Sequence, residues 1–306
     1  MWRLMVCLVL LWVVFVRYVS ADDSSPDNVN SHTWRVALID RFYPPVTHST
    51  ENSIHHRALH GLLDLDNDEL PEHYYHGDLV QIIASDPRLI FIQYPISDNR
   101  PPLDEILTRL KQIRVNFERF PVDALLLSWE SSSLVSAFEK PLKPENVKLY
   151  KSLVREWGET DSIWYATSQI ILQLEWMARQ GVTVFTIAGN GGSGMVNTFS
   201  FAEGVTTVGA SEPELRHFVA NNAFVDLKAP AAYQPRRMDS REGIAMGYDV
   251  DGDNCVDIPL DQLSSFDAFE LRSYSSRPWP ILKGSSFAAP AALKAHLLDG
   301  TATECL

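Results

Sequence analysis

The sequence predicts an α/β fold in which a mostly parallel central sheet carries helices on both faces. Two observations predict it. Short apolar segments of strand length alternate with longer segments whose apolar residues recur at helical spacing. The strand-like segments are apolar almost throughout, which is typical of strands that are covered on both sides. In such a sheet, functional sites lie at the carboxyl ends of the strands.

The first half of the chain contains three of these strands and two helices. WRVALID at 34–40 is a near-continuous apolar strand that ends on an acid, and HGDLVQIIA at 76–84 has helical spacing. RLIFIQY at 88–94 is the second strand. LDEILTRLKQIRVNF at 103–117 is an amphipathic helix, and VDALLLS at 122–128 is the third strand.

The second half continues the alternation. DSIWYATSQIILQLEWMARQG at 161–181 is a long helix that ends at a glycine, the residue favoured just after a helix. VTVFTIAG at 182–189, VTTVGAS at 205–211 and FVDLKAP at 224–230 are three further strands. GSSFAAPAALKAHL at 284–297 opens the last helix with a glycine and two serines.

The start of the chain differs in composition from the rest. A positive charge, an apolar run at 4–16 and small residues at 19–21 follow one another, which is the pattern of a secretory signal peptide. The apolar run is short for a membrane span, which needs about 20 apolar residues. We therefore expect a signal peptide at 1–21, a disordered lead-in at 22–33 and a globular domain at 34–306, in a secreted or periplasmic protein. An uncleaved membrane anchor is the alternative.

The charge of the chain excludes two classes of partner. The formal net charge is −13, and removal of the signal peptide takes away two arginines and no acidic residue, so the mature charge is −15. A surface of this sign repels nucleic acids and anionic membranes. We expect neither as a partner, and the composition does not indicate an oligomeric state.

Two of the three cysteines, Cys255 and Cys305, lie outside the predicted signal peptide. An even pair of cysteines in a secreted chain predicts a disulfide between them.

Four polar residues lie at the ends of predicted elements. Asp40 ends the first strand, and His76 opens a helix. Asn190 follows the fourth strand in a glycine-rich turn, and Ser286 opens the last helix. Each of them alone is an ordinary turn, surface or cap residue. Because the ends of the elements meet at one edge of a parallel sheet, the four together form a candidate catalytic site.

The segments around these residues resemble the subtilisin-like serine proteases (subtilases, peptidase S8 family). VALIDRF is similar to the strand that ends in the catalytic Asp, and HGDLVQIIA to the helix of the catalytic His. TIAGNGG is similar to the oxyanion turn, and GSSFAAP to the nucleophile signature, which includes Pro290. The resemblance implies the three-layer subtilisin-like fold with a catalytic domain at 34–306. It also implies a secreted endopeptidase that acts on peptides or proteins and needs no cofactor for its chemistry.

The resemblance also implies a role for each residue. Ser286 is the nucleophile that forms an acyl-enzyme, His76 is its base, and Asp40 orients the imidazole and stabilises its charged form. The side-chain amide of Asn190 donates to the oxyanion beside the backbone N–H of Ser286. A serine hydroxyl is a poor nucleophile without an adjacent base, so this chemistry requires these residue types. The implied substrate-binding residues are Ser128, Trp129, Glu130, Ala188 and Gly189.

Two departures from the family pattern leave other functions open. Arg41 and Phe42 follow Asp40 where the family has Ser or Thr and then Gly, and Glu130 stands where it has glycine. A catalytically impaired binding or regulatory module and a peptide acyl transferase are the alternatives to an endopeptidase. Glu130 either faces the substrate cleft, where it would favour Lys or Arg near the scissile bond, or points to solvent.

The segment YDVDGDNCVDIPLDQ at 248–262 carries alternating acidic residues. Asp249, Asp251, Asp253 and Asp257 are spaced like the oxygen ligands of a calcium loop, although the segment lacks the glycine and the bidentate glutamate of an EF-hand. We expect structural calcium here, and a solvated acidic turn is the alternative.

Overall fold

The computed structural model describes residues 32–43, 74–97, 100–260 and 281–300. In chain order, the elements are β1 (Trp34–Asp40), α1 (His76–Ala84), β2 (Leu89–Pro95), α2 (Pro102–Asn116), β3 (Ala124–Leu127), β4 (Ser132–Leu134), α3 (Val147–Trp157), α4 (Ser162–Arg179), β5 (Thr183–Ile187), β6 (Met195–Asn197), β7 (Val205–Ala210), β8 (Leu227–Ala229), β9 (Ala232–Tyr233), β10 (Arg236–Asp239), β11 (Ala245–Asp249), β12 (Ile258–Pro259), β13 (Leu282–Lys283) and α5 (Ser285–Leu297). The predicted signal peptide at 1–21 lies outside the described residues, as does the lead-in at 22–33 apart from its last two residues.

The central sheet has six parallel strands in the order β2-β1-β3-β5-β7-β8. The chain adds β2 on one side of β1, and then adds β3, β5, β7 and β8 on the other side. The carboxyl ends of β1 and β3 therefore form the topological switch point, which is where the ligand sites of open α/β sheets lie. The predicted fold class, α/β with a parallel central sheet, is confirmed.

Alternating side chains of the strands contribute to two hydrophobic clusters, one on each face of the sheet. In β1, Val36 and Leu38 belong to the cluster that includes α1 and α5, whereas Ala37 and Ile39 belong to the cluster that includes α2 and α4. All four side chains are fully buried. Burying one large aliphatic side chain contributes about 1.5–3 kcal/mol. Since both faces are covered, the strands are apolar at almost every position.

The spacing of apolar residues decides which side of each helix is buried. In α2, Ile106, Leu110 and Ile113 recur at intervals of four and three and are buried. α5 is different, because its residues from Ser285 to Pro290 are all buried. The first turn of α5 is thus enclosed by the rest of the protein, whereas Ala295 and His296 near its other end are exposed. α5 is therefore a central element, and its first turn is held on every side.

The predicted elements are present with ends shifted by a few residues. The strand predicted at 122–128 is Ala124–Leu127, for example, and the strand predicted at 224–230 is Leu227–Ala229. The sequence analysis missed α3 and the antiparallel sheet of β10, β11 and β12. Within the ranges that the structure describes, no helix has the length and apolar composition to cross a membrane.

Candidate active site

Three neighbouring strands of the sheet bring the predicted site residues to one edge. Asp40 is the last residue of β1, Ser128–Glu130 follow β3, and Ala188–Asn190 follow β5. β3 lies between β1 and β5, so the three strand ends are adjacent. The first turns of α1 and α5 add His76 and Ser286. The fold thus places the predicted residues around the switch point.

Asp40 and His76 form a hydrogen-bonded pair. The Asp40 side chain is fully buried, and its Oδ2 lies 2.9 Å from His76 Nδ1. Its Oδ1 accepts from the backbone N–H of Arg41 at 2.7 Å. A carboxylate can only accept, so Nδ1 is the protonated nitrogen of the neutral ring. Nε2 is then the free base, and the His76 side chain is 31% exposed.

Gly77 allows α1 to approach β1 closely enough for this pair. Its backbone N–H donates to the carbonyl of Arg41 at 2.8 Å. A Cβ added at Gly77 would lie 2.5 Å from that carbonyl oxygen and 2.8 Å from the Cβ of Asp40. Neither contact is possible, so residue 77 must lack a side chain. The His-Gly dipeptide of the sequence therefore has a structural reason.

The pKa of His76 is raised above its ordinary value of 6.5. Burial of the ring opposes protonation, but the charge of Asp40 and the hydrogen bond to it together outweigh burial. The nearby Arg41 guanidinium, which lies 5.3 Å from the centre of the Trp129 ring, opposes the imidazolium. Asp40 thus stabilises the charged form that a base reaches when it takes up a proton.

Ser286 is the second residue of α5, where backbone N–H groups have no acceptor within the helix. Pro290 stands four residues later and has no N–H, so the Ser286 carbonyl lacks its usual helical donor. The Ser286 side chain is only 6% exposed. Phe287, the next residue, packs its ring 5.5 Å from the ring of His76 and so places the base beside the first turn of α5.

Ser285 fixes the orientation of the Asn190 side chain. Asn190 Oδ1 accepts from the backbone N–H of Ser285 at 2.9 Å and from its hydroxyl at 3.0 Å. The Ser285 hydroxyl in turn accepts from the backbone N–H of Gly189 at 3.1 Å. Since a backbone N–H can only donate, the amide atom facing it must be the oxygen. Nδ2 is thereby turned outward as a free donor.

Gly284 separates Asn190 from Ser286. Its φ of +152° lies in the region that favours glycine. A Cβ at this position would lie 3.3 Å from Asn190 Nδ2 and 3.3 Å from Ser286 Oγ. The amide and the hydroxyl therefore face the same small space.

The reactive atoms of the candidate site are unengaged and reach solvent. Some polar side-chain atoms in the described residues are buried without a partner, such as Ser128 Oγ and Thr186 Oγ1. Ser286 Oγ, His76 Nε2 and Asn190 Nδ2 are not among them, and none of the three makes a hydrogen bond to a described residue. In particular, no hydrogen bond links the Ser286 hydroxyl to the His76 ring. Such bonds are often long in proteins without substrate and shorten in the complex.

Glu130 turns its carboxylate toward the Asn190 turn. Its Oε2 accepts from the backbone N–H of Asn190 at 3.1 Å and from the Ser132 hydroxyl at 2.6 Å. Of the two orientations that the sequence leaves open, the structure thus has the one on the site side. The other predicted substrate-binding residues, Ser128, Trp129, Ala188 and Gly189, line the same strand ends.

Asn197 holds these strand ends together, and the sequence analysis missed it. The side chain is fully buried. Its Nδ2 donates to the carbonyls of Trp129 at 3.2 Å and Ile187 at 2.8 Å. Its Oδ1 accepts from the N–H groups of Ser131 at 3.0 Å and Phe199 at 3.2 Å. An asparagine inside the apolar segment MVNTFSF is the signal that could have found it, because a buried amide must have partners.

Three of the four acids predicted as calcium ligands lie together. One ligand oxygen from each of Asp249, Asp251 and Asp257 lies within 4.8 Å of the others, and Asp253 is outside the group. Asp249 pairs with Arg236 at 2.7 Å. Asp251 pairs with Lys294 of α5 at 3.0 Å. Two side-chain cations therefore already lie against the acidic cluster, and calcium stays a prediction.

Cys255 is disulfide-bonded. Cys305 lies outside the described residues, so the pairing of these two cysteines stays a prediction.

Several solved structures that the chain resembles are described as proteases. A lanthipeptide protease is 16% identical, over 87% of this chain and 72% of that chain, with a TM-score of 0.43. The self-cleaved protease domain of PatA is 13% identical, over 87% of this chain and 79% of that chain, with a TM-score of 0.44. The epidermin leader peptide processing serine protease EpiP from Staphylococcus aureus is 13% identical, over 86% of this chain and 64% of that chain, with a TM-score of 0.44. No family model and no curated protein matches the chain. Likeness at this level assigns neither residues nor an activity.

Proposed function

We propose that the protein is a secreted serine endopeptidase of the subtilisin type that hydrolyses peptide bonds through an acyl-enzyme on Ser286. One observation carries the proposal. Ser286 Oγ, His76 Nε2 and Asn190 Nδ2 are free and accessible. Asp40 holds the other ring nitrogen of His76, and Ser285 holds the amide oxygen of Asn190. A nucleophile, a base and an oxyanion donor that are each oriented but unengaged match the requirements of acyl transfer.

The first half of the reaction forms the acyl-enzyme. Ser286 Oγ attacks the carbonyl carbon of the scissile bond while His76 Nε2 takes its proton. The carbonyl oxygen becomes negative and accepts from Asn190 Nδ2 and from the backbone N–H of Ser286 in the first turn of α5, whose helix dipole also favours negative charge. The imidazolium then gives the proton to the nitrogen of the leaving amine as the carbon–nitrogen bond breaks.

Water completes the cycle. His76 Nε2 takes a proton from water, and the resulting hydroxyl attacks the acyl carbon. The ester bond breaks, and the proton returns to Ser286 Oγ. Each step uses only residues of this chain, and the calcium predicted at the acidic cluster takes no part in it.

Two experiments test the proposal. A fluorophosphonate probe should label Ser286 in the folded protein, and peptide mapping identifies the labelled serine. Ser286→Ala should keep the fold, lose the label and lose turnover by about 10⁶, the size of the effect when a serine nucleophile is removed. Ser85→Ala, at an exposed serine that follows the last residue of α1, is the matched control and should keep both. Labelling at another serine, or unchanged turnover in Ser286→Ala, contradicts the assignment.

One observation favours a different function. Because no hydrogen bond links the Ser286 hydroxyl to the His76 ring, a binding module without catalysis fits the same geometry. Folded protein that binds peptides but is not labelled at Ser286 would support this second function. Analysis of the products with an added amine separates hydrolysis from peptide transfer.

A further inference from the structure

Glu130 places an acidic side chain against the oxyanion turn, and no cationic side chain of the described residues pairs with it. Its Oε2 lies 3.1 Å from the backbone nitrogen of Asn190, the residue whose amide would face the oxyanion. Gly189 makes room for it, because a Cβ there would lie 2.3 Å from the same oxygen. In the described part of the chain, no Lys, Arg or His nitrogen lies within the 4.0 Å of an ion pair with this carboxylate. Among the described residues, none therefore neutralises the charge of Glu130.

The Glu130 side chain is held in place rather than mobile. The backbone N–H of Asn190 and the hydroxyl of Ser132 both donate to Oε2. The second oxygen, Oε1, makes no hydrogen bond to a described residue, and it is not among the buried atoms without a partner. Oε1 thus reaches solvent and can accept from a ligand. A hydrogen-bonded carboxylate with one free oxygen is a prepared acceptor for a cationic group.

This charge lies at an unfavourable place for catalysis with an uncharged substrate. Negative charge develops on the substrate oxygen at Asn190 Nδ2, close to the carboxylate that is bonded to the same residue. Like charges repel most strongly in a site that excludes water. A positive group bound to Glu130 would remove that repulsion in the transition state. The site is therefore complementary to a cation, and the described part of the chain places none there.

We propose that Glu130 selects substrates with Arg or Lys next to the scissile bond on its acyl side. This inference rests on the proposed function. When the scissile carbonyl lies between Ser286 and Asn190, the side chain of the substrate residue that contributes this carbonyl extends from the adjoining Cα. The long, flexible stems of Arg and Lys carry their charge away from that Cα and toward Glu130. Because Oε2 already accepts two hydrogen bonds, the Arg or Lys side chain would bind through the free oxygen, Oε1.

Paired peptides test the proposal. Two sets of substrates differ only at this position, with Arg in one and norleucine in the other. The wild type should cleave the Arg peptide with a kcat/KM about 10- to 100-fold higher, the range of a charge-assisted hydrogen bond. Glu130→Gln keeps an oxygen for the Ser132 and Asn190 donors but removes the charge. It should lower kcat/KM for the Arg peptide and raise it for the norleucine peptide.

A matched control separates local charge from total charge. Glu118 is an exposed residue that follows α2, near the opposite edge of the sheet. Glu118→Gln changes the net charge by the same amount and should leave both rates as in the wild type. If Glu130→Gln lowers both rates equally, Glu130 only supports the turn, and the proposal is wrong. Unchanged preference in Glu130→Gln also overturns it.

Binding gives a readout that does not need catalysis. In a Ser286→Ala background, calorimetry compares the affinity for the two peptides with and without Glu130→Gln. Tighter binding of the Arg peptide that disappears with Glu130→Gln supports the proposal, even if the protein with Ser286 cleaves nothing. Equal affinities in all four combinations overturn it. Failure of the proposed function shows instead as absent labelling of Ser286.

Discussion

At the scale of single residues, Arg41 is the side chain that most clearly departs from the pattern around Asp40. It is 2% exposed, stacks on Trp129, and opposes the charge of the His76 imidazolium. The base must be neutral to take a proton, so activity should fall as the pH drops through the pKa of His76, which lies above 6.5. Burial also raises the pKa of Asp78 on the same helix, to about 6.

Arg41→Gln should move that acid limb to higher pH, because it removes the charge that opposes protonation of His76. Profiles of kcat/KM against pH for the wild type and the variant measure the shift. Arg119→Gln, at an exposed arginine near the opposite edge of the sheet, is the control and should leave the profile in place. A limb that stays put in Arg41→Gln would show that Arg41 does not act on His76.

The residues of the site were predictable to different degrees. Asp40, His76 and Ser286 could be predicted because each lies at the end of a strand or helix. Neighbouring residues such as Gly77 and Pro290 add to the pattern. The orientation of Glu130 could not, because it depends on the Ser132 hydroxyl and on a backbone N–H some sixty residues away along the chain. Asn197 acts through four backbone groups from three segments, and no local pattern reports such contacts.

At the scale of elements, the contact between α1 and the end of β1 decides whether the site can form. Gly77→Ala places a Cβ 2.5 Å from the Arg41 carbonyl oxygen and 2.8 Å from the Cβ of Asp40, and neither of these atoms can move without moving the backbone. We expect a loss of about 1–3 kcal/mol in the free energy of unfolding. We also expect a larger relative loss of kcat, because His76 moves with α1.

Gly194→Ala is the matched control for Gly77→Ala. Nothing lies within 4 Å of a Cβ at Gly194, and its φ is not in the left-handed region. Its free energy of unfolding and its kcat should match the wild type. Denaturant unfolding and turnover of the three proteins decide the comparison, and equal stability of Gly77→Ala and Gly194→Ala would contradict the close contact.

The elements that the sequence analysis missed are those with a weak or distant signal. In α3 only Tyr150 and Val154 are buried, so its apolar face is narrow. The strands β10, β11 and β12 pair with one another rather than with the central sheet. The acidic residues that dominate this segment of the sequence lie at the end of β11 and in the connection to β12.

At the scale of the whole molecule, the acidic cluster links the β10–β12 sheet to α5. Lys294 on α5 binds Asp251, and Arg236 on β10 binds Asp249. α5, which carries Ser286 in its first turn, is therefore tied near its far end to this sheet. The stability of the cluster should bear on the position of α5, and it should depend on pH and on cations.

Asp257 makes the pH dependence predictable. Burial, together with the charges of Asp251 and Asp253, raises its pKa to about 6, whereas two backbone N–H groups oppose the rise. The folded state then favours the protonated form more than the unfolded chain does. The charged form of Asp257 therefore lowers the free energy of unfolding at neutral pH. This loss is relieved as the pH falls from about 7, through the folded pKa of about 6, toward the ordinary pKa of 3.8. The melting temperature should thus rise by a few degrees between pH 7.5 and pH 5.5. Asp257→Asn should remove most of that rise and be the more stable protein at pH 7.5.

The same measurement tests the calcium expectation. A divalent cation at Asp249, Asp251 and Asp257 would offset their mutual repulsion, so millimolar calcium should raise the melting temperature at pH 7.5 by mass action. Because protonation of Asp257 removes one ligand charge, the effect should shrink at pH 5.5 and in Asp257→Asn. Magnesium at the same ionic strength is the control for general screening, since it dehydrates reluctantly and fits such flexible oxygen sites poorly. Equal melting temperatures in calcium, magnesium and chelator at pH 7.5 would show that Lys294 and Arg236 alone neutralise the cluster.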